Sequence, residues 1–202
     1  MKMKKILMLA FATMMTFVAG AQDFGQDKVV NAPTTWTFEQ YAGNSVNKLE
    51  ELNGLYLRAS EKHDFKCAAS HIKVTLADGK TIKGQASLSI RSRDIKPAGI
   101  KIKSAGAESG LDCCVAFNAA SAGKVYVAFR AKTSDDTRLM KIFFKGKSDS
   151  NYKEVAKVDA GTVKALRNGL GTIEFTSTEA GTFVIGGNCS PSLYAVQFIP
   201  NN

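Results

Sequence analysis

Three side chains that can bind a metal recur at a spacing of four residues: His63, Cys67 and His71, with Asp64 beside the first. On a helix this spacing would place them on one face, where zinc could take nitrogen and sulfur ligands. However, His71 begins the alternating run 71–76, which is typical of a strand. A structural zinc site also needs four ligands at tighter spacing. We therefore expect no metal site and no cofactor.

Residues for hydrolysis are equally sparse. A hydrolase needs a nucleophile with a base, or a pair of carboxylates. The sequence contains neither a Gly-x-Ser-x-Gly elbow nor a His-Glu-x-x-His helix. Asp135-Asp136 is a carboxylate pair, but it lies in a predicted turn, where Asp bonds the backbone. We predict a protein that is not an enzyme, and keep a small hydrolase or lyase as the least favoured alternative.

The candidate ligand-binding residues surround one predicted hairpin. In the alternating run 124–131, the valines form the apolar face, which leaves Tyr126 on the outer face. Aromatic rings can stack on the C–H faces of sugars, and basic side chains can hydrogen-bond to them. We therefore predict that Tyr126, Arg130, Lys132 and Arg138 bind a ligand. Trp36, in contrast, is expected to pack in the core.

The pattern of the chain predicts strands rather than helices. The predicted strands are rich in β-branched and aromatic residues, and cover 55–59, 71–76, 100–102, 115–117, 124–131, 139–144, 172–175, 182–185 and 193–199. In the last of these, Tyr194, Val196 and Phe198 are expected on one face. Asp78-Gly79 is the clearest hairpin turn. The two weak helix candidates are 41–52 and 160–166.

These elements predict an all-β fold: an antiparallel β-sandwich of jelly-roll type with at most one or two short helices. We expect a signal peptide at 1–21, a flexible leader at 22–33 and a single sandwich domain at 34–202. The signal has three lysines and an apolar run of 13 residues, 6–18, which is too short to span a bilayer. We expect cleavage after Ala21 and export to the periplasm, cell surface or exterior without membrane insertion; the alternative is an uncleaved membrane anchor.

Export changes how the four cysteines are interpreted. An even number in an oxidising compartment favours disulfides, so Cys67, Cys113, Cys114 and Cys189 are all candidates. A bond between the adjacent Cys113 and Cys114 would strain the backbone. We prefer the two pairings that join each of them to Cys67 or Cys189. One or both pairs could also stay reduced.

The net charge is +9 over 202 residues, from 27 basic and 18 acidic side chains. The three lysines of the signal leave 9 − 3 = +6 on the mature chain. The basic residues alternate with apolar ones, which is typical of the solvated face of a sheet. Such a face could attract an acidic polysaccharide. Because an exported protein is separated from the nucleic acids of the cell, no nucleic-acid partner is predicted.

The order of several short motifs resembles a known family. Thr35-Trp36-Thr37-Phe38, then 53–57 (Asn-Gly-Leu-Tyr-Leu), then 78–81 (Asp-Gly-Lys-Thr) are similar to the opening of an accessory β-sandwich module. Such modules occur in secreted bacterial polysaccharide-degrading, pectate-lyase-associated proteins. The run 125–131 and the strand 193–198 are similar to its central hairpin and closing strand. The resemblance implies a non-catalytic, carbohydrate-binding role, but offers no motif of ligand residues.

The favoured hypothesis is therefore a secreted, non-catalytic module that binds a polysaccharide or oligosaccharide, acidic ones included. The alternative is a structural or adhesion protein of the cell envelope that acts through contacts with envelope proteins. That alternative predicts an exposed apolar patch or a free sheet edge instead of a polar groove.

Overall fold

Fourteen strands and one short 3₁₀ helix form the part of the chain that the structure, a computed structural model, describes. The described residues are 28–47, 49–59, 64–89, 114–130, 140–158, 170–187 and 191–201. The strands are β1 (Val29–Val30), β2 (Thr34–Trp36), β3 (Ser45–Val46), β4 (Leu49–Leu52), β5 (Leu55–Arg58), β6 (Phe65–Thr75), β7 (Thr81–Ser89), β8 (Cys114–Ala119), β9 (Gly123–Arg130), β10 (Met140–Gly146), β11 (Lys153–Val158), β12 (Leu170–Thr176), β13 (Gly181–Gly187) and β14 (Ser192–Pro200). The 3₁₀ helix spans Glu39–Tyr41.

The strands form two sheets. Sheet A has the order β11-β10-β13-β8-β5-β4, and β1 also pairs with β8. Sheet B has the order β12-β9-β14-β7-β6-β3, and β2 also pairs with β14. The chain passes repeatedly from one sheet to the other, as from β8 to β9 and from β13 to β14, and all neighbours except β1 and β8 are antiparallel. The predicted all-β antiparallel sandwich is therefore confirmed.

The core lies between the sheets and is built by alternation along the strands. On β9 the side chains of Val125, Val127 and Phe129 are fully buried and point inwards. Phe117 of sheet A stacks on Phe183 at 4.9 Å between ring centroids. As predicted, Trp36 is in this core, and its Nε1–H donates to the Asn53 carbonyl at 3.0 Å. A buried indole N–H thereby has a partner.

Two turns show why particular residues form hairpins. Asn53 and Gly54 join β4 to β5 with φ of 47° and 86°, the positive values that a two-residue type I′ turn requires. Asp78-Gly79 lies in the β6–β7 hairpin, as predicted. There only Gly79 has a positive φ, of 79°, while the Asp78 carboxylate accepts from the Lys80 backbone N–H at 3.1 Å.

The helix predicted at 41–52 is wrong. Ser45–Val46 and Leu49–Leu52 are strands, and the 3₁₀ turn Glu39–Tyr41 overlaps the predicted range only at Tyr41. Leu49 and Leu52 do recur at a helical spacing, but the Asn53-Gly54 turn folds their segment back onto β5. The other helix candidate, 160–166, and the strand predicted at 100–102 lie outside the described residues.

The ordered sandwich includes residues that the sequence assigns to a leader. Val29 and Val30 pair in parallel with Asn118 and Ala119 of β8, and the Val30 side chain is buried in the core. The backbone N–H of Ala120 donates to the Val30 carbonyl at 2.9 Å. The predicted signal peptide, 1–21, lies outside the described residues and stays a prediction.

The disulfide expected at Cys67 is not formed. The Cys67 thiol is free and lies between the sheets, whereas Cys114 belongs to an apolar cluster on the outer face of sheet A. Sheet A itself therefore separates the two sulfurs. Cys114 and Val115 point to opposite faces of their strand. Cys113 and Cys189 lie outside the described residues, so their pairing stays a prediction.

Candidate functional site: a groove between two β-bulges

The strand β6 changes its register in the middle. Ala69 pairs with Ala86 of β7, but the next pair joins Ile72 to Gly84. Two residues of β6, Ser70 and the one after it, therefore oppose a single residue of β7. Such a β-bulge bends the strand and increases its twist, and bulges are common next to binding sites.

Beyond this bulge, the hairpin formed by residues 72–82 covers the outer face of sheet B. We call these residues the covering hairpin. Val74 and Leu76 are buried against Ala128, Tyr194 and Ala195, which point away from the core between the sheets. The apolar side chains of the alternating run 72–76 are thus buried in a third layer of packing, on the outside of the sandwich.

Hydrogen bonds fix the covering hairpin to the sheet. The Tyr126 hydroxyl donates to the Thr75 carbonyl at 2.9 Å. The Ala77 backbone N–H donates to Oε1 of Gln197 at 3.1 Å, and Nε2 of Gln197 donates to Oγ1 of Thr35 at 3.2 Å. Gln197 is only 5% exposed, so both ends of its buried amide are satisfied.

A second bulge occurs in β14, which is separated from β6 by β7 in sheet B. Leu193 pairs with Phe129 of β9, but Ala195 pairs with the next residue, Ala128, so Tyr194 has no partner in register. The extra residue reverses the alternation: Leu193 and Val196 point inwards, while Tyr194 points outwards. The prediction that Tyr194 shares a face with Val196 and Phe198 is therefore wrong.

The two bulges border a groove of about 410 Å³ on the outer face of sheet B. This volume is within the range of about 300–1,000 Å³ that is usual for small-molecule sites. The groove lies where the covering hairpin leaves the sheet. It is lined by Ala68, Ala69, Ser70, Ile72, Arg130, Ser192 and Tyr194. We refer to it below as the groove.

The polar groups of the groove have no partners within the described part of the chain. No hydrogen bond or ion pair of the described residues engages the hydroxyls of Ser70, Ser192 and Tyr194 or the guanidinium of Arg130. Tyr194 is only 3% exposed and packs in the apolar cluster under the covering hairpin, yet it is one of the residues that line the groove. One concavity is thus lined by three residues with hydroxyls and one arginine, which are side chains that can hydrogen-bond to a polar ligand.

The predicted ligand residues have different positions relative to this groove. Arg130 lines it, at the end of β9. Tyr126 is on the outer face, as predicted, but lies half-buried beneath the covering hairpin and does not line the groove. Lys132 and Arg138 lie outside the described residues. All four remain predictions as ligand-binding residues.

Sequence reasoning missed Ser70, Ser192 and the small residues Ala68 and Ala69. No signal in the sequence singles them out, because each is an ordinary strand residue until the bulges bring it to the groove. Tyr194 stands out as an aromatic residue, but the alternation assigned it to the wrong face. A bulge adds one residue without any characteristic side chain, which is why this face could not be read from the pattern.

The electrostatics near the groove come from a few groups. Arg130 is the only charged residue among those that line it. On the same face, burial raises the pKa of the Tyr126 hydroxyl, which therefore remains a neutral donor to Thr75. Further along β9, Lys124 is paired with Glu174 at 2.7 Å.

Metal-capable residues do not cluster in the described part of the chain, where no group of three or more His, Cys, Asp or Glu could hold an ion. Cys67 and His71 both lie on β6, an extended strand rather than a helix. Four residues of a strand span about 13 Å, which is too far for two ligands of one ion. His63 lies outside the described residues.

The aromatic rings of the described residues are buried or half-buried. The large hydrophobic residues that are exposed in this part of the chain are Val29 and Leu49, which are aliphatic. A flat aromatic platform therefore does not occur in the described ranges. Any sugar stacking there would use aliphatic C–H surface, such as that of Ala68, Ala69 and Ile72 in the groove.

A second, smaller concavity of about 270 Å³ lies near the start of the sandwich and includes Lys28, Asn31 and Asn53. Its cation is already paired: Nζ of Lys28 bonds to Glu51 at 2.6 Å. Glu51 also accepts from the Gly54 backbone N–H, and this bond, followed by the one from Lys28, lowers the pKa of its carboxyl. These internal bonds stabilise the β4–β5 turn.

No family model matches the sequence, and no curated protein matches it. Some solved structures have a similar chain course. One comes from a study of glycan recognition by the Ruminococcus flavefaciens cellulosome. It is 16% identical, has a TM-score of 0.40, and the alignment covers 86% of this chain and 97% of that chain. Another is the module CsCBM6-3 from Clostridium stercorarium in complex with cellobiose, with 8% identity, a TM-score of 0.36 and coverage of 87% and 99%.

A third similar structure is the xylan-binding module CBM15, with 14% identity, a TM-score of 0.37 and coverage of 75% of this chain and 95% of that chain. With identities and TM-scores this low, the likenesses transfer no function to this chain. An association with pectate lyases stays a prediction. In the described ranges, no helix is long and apolar enough to cross a membrane.

Proposed function

We propose that this chain is a secreted, non-catalytic glycan-binding β-sandwich and that the groove is its binding site. One observation carries the proposal: a concavity of about 410 Å³ is lined by three residues with hydroxyls and one arginine, and these polar groups have no partners among the described residues. Polar groups that already have partners stabilise the fold, as Gln197 does. Groups without partners at the rim of a groove are available to a ligand.

The composition of the groove suits a sugar. Ser70, Ser192 and Tyr194 offer hydroxyls that both donate and accept, which matches the hydroxyls of a pyranose ring. Ala68 and Ala69 are small and exposed, and they leave room for the ring to approach the strand backbone. The seven lining residues include no carboxylate or histidine, in agreement with binding rather than acid–base chemistry.

The test is binding of residues 22–202 to an array of neutral and acidic polysaccharides at low and high salt, followed by calorimetry on the best ligand. The double variant Ser70→Ala with Ser192→Ala removes two hydroxyls from the groove and is expected to weaken binding about tenfold or more. Ser148→Ala, an exposed serine in the turn after β10, is the matched control and should leave affinity unchanged.

Three results would count against the proposal. Absence of binding to every glycan would contradict it and favour the envelope-protein alternative, which could then be tested by isolating complexes. Equal affinity of the double variant and the unaltered chain would remove the groove as the site. Binding only to acidic polymers and only at low salt would mean that nonspecific attraction to the positive net charge, and not the groove, causes the binding.

The proposal includes export. The predicted cleavage after Ala21 would leave 202 − 21 = 181 residues, beginning with Gln22. Mass spectrometry of the protein recovered outside the cytoplasm is expected to give that chain. Recovery of the uncut chain from the membrane fraction would instead indicate an anchor.

A further inference from the structure

Arg130 is the one charge among the residues that line the groove. It is the last residue of β9, exposed, and lies in register with Ser192 on β14 and Leu170 on β12. No ion pair or hydrogen bond of the described residues engages its guanidinium. Arg130 thus lines the groove with a planar fork of donors that nothing in the described structure neutralises.

The acidic residue of β12 is too far along the sheet to compensate for this charge. Glu174 pairs in register with Tyr126, four residues from Arg130 along β9, which corresponds to about 13 Å. Glu174 is also occupied by Lys124 at 2.7 Å. An anionic group that enters the groove therefore meets one uncompensated cation and no carboxylate among the lining residues.

Arginine and carboxylate match in shape as well as charge. A guanidinium offers two parallel N–H donors to the two oxygens of a carboxylate, which gives a bidentate bond stronger than one between neutral groups. A lysine in the same place would act only as a point charge. Arg130 thus provides a specific means of selecting one class of sugar.

We infer that the groove selects a glycan that bears a carboxylate, such as a uronic acid, which Arg130 binds bidentately while Ser70, Ser192 and Tyr194 bind the ring hydroxyls. The inference rests on the proposed function. It adds the substrate class and assigns Arg130 as the residue that determines it.

The test compares each acidic polymer with its own carboxyl-reduced form. Alginate, polygalacturonate and hyaluronan are used as probes, and each is compared with the product in which its carboxylates have been reduced to primary alcohols. At 150 mM salt we expect the best acidic probe to bind about 10- to 100-fold more tightly than its reduced form.

Variants then identify the cation responsible. Arg130→Gln is expected to abolish the difference between the acidic and the reduced form, and Arg130→Lys to restore only part of it. Lys157→Gln removes the same charge from an exposed position on β11, in the other sheet, and should leave the difference unchanged. Circular dichroism and melting temperature establish that each variant is folded.

The outcomes separate the two levels of the proposal. If acidic and reduced forms bind equally and the two serine substitutions weaken both, the groove binds glycans but the inference about carboxylates is overturned. If Lys157→Gln lowers the difference as much as Arg130→Gln does, net charge rather than Arg130 is responsible, and the inference is again overturned. If no form binds, the proposed function itself fails.

Discussion

Tyr126 and Tyr194 lie on neighbouring strands of sheet B, both on the outer face, but their hydroxyls have different roles. The Tyr126 hydroxyl donates to Thr75 at 2.9 Å and holds the covering hairpin in place. The Tyr194 hydroxyl has no partner among the described residues, and Tyr194 is one of the residues that line the groove. One tyrosine therefore serves the fold, whereas the other is available to a ligand.

This difference predicts reciprocal effects of the same substitution. Tyr126→Phe should lower the free energy of unfolding by about 1 kcal/mol, since it removes one hydrogen bond, and leave glycan affinity unchanged. Tyr194→Phe should weaken binding several-fold and change stability by less than about 0.5 kcal/mol. Urea denaturation and calorimetry measure the two quantities. If Tyr126→Phe lowers glycan affinity more than Tyr194→Phe does, Tyr126 is part of the binding site.

Cys67 makes stability depend on pH in the alkaline range. Burial raises the pKa of its thiol from 9.0 to about 11, so the unfolded chain loses this proton before the folded chain does. Its contribution is complete below pH 9.0 and is lost as pH rises through the folded pKa. By pH 10.5 the loss should reach about 2 kcal/mol.

The matched variant isolates this contribution from other titrating groups. Cys67→Ala lacks the thiol, so its free energy of unfolding should fall less steeply between pH 8.5 and 10.5 than that of the unaltered chain. Denaturant titrations at intervals of half a pH unit measure both slopes. Parallel slopes would show that the thiol is not shielded in the folded protein.

The sequence predicts the turn and the strands of the covering hairpin, but not its position on the outer face of sheet B. The Asp78-Gly79 turn is visible because Asp and Gly suit the backbone of a tight turn. The alternation at 72–76 is equally visible, but it does not say which face of which sheet the apolar residues will cover. That is decided by the bulge after Ala69, which has no sequence signature.

Because the covering hairpin is fixed by a small apolar cluster, it should be possible to loosen it alone. Leu76→Ala removes a buried side chain from this cluster and is expected to cost about 2 kcal/mol. Amide exchange should accelerate at residues 72–82 and remain slow in β9 and β14. Leu49→Ala, at a side chain that is 49% exposed, is the control with little effect. Equal acceleration throughout both sheets would show that the hairpin cannot open separately.

Other elements show where local sequence is sufficient. The alternation of β9 predicted its buried face because one side of the strand meets the core along its whole length. The segment 41–52 was misassigned since its two leucines fit a helical spacing and a short strand equally well. Pairing with β5, a tertiary interaction, decided the outcome.

For the whole molecule, one aromatic cluster joins the two sheets. Phe183 of β13 lies 4.9 Å from Phe117 and 4.8 Å from Phe144 between ring centroids, and 5.9 Å from Phe198 across the core. Because this ring contacts both sheets, its loss should weaken the sandwich as a unit and not one sheet alone.

Phe183→Ala is accordingly expected to cost about 3–5 kcal/mol while a single cooperative transition is kept. Phe175→Ala, at a half-buried ring of β12, should cost clearly less. Thermal unfolding followed by two independent optical probes measures both. Two separate transitions in Phe183→Ala would mean that the sheets can unfold independently.

The central place of β14 has a consequence for how the protein is made. This strand is the last of the sandwich, yet in sheet B it lies between β9 and β7, so those two strands have nothing to join them until it arrives. On the ribosome, sheet B can therefore close only after residues 192–200 have emerged. Until that moment sheet B remains in two parts, and the folding of the whole sandwich waits for its last described strand.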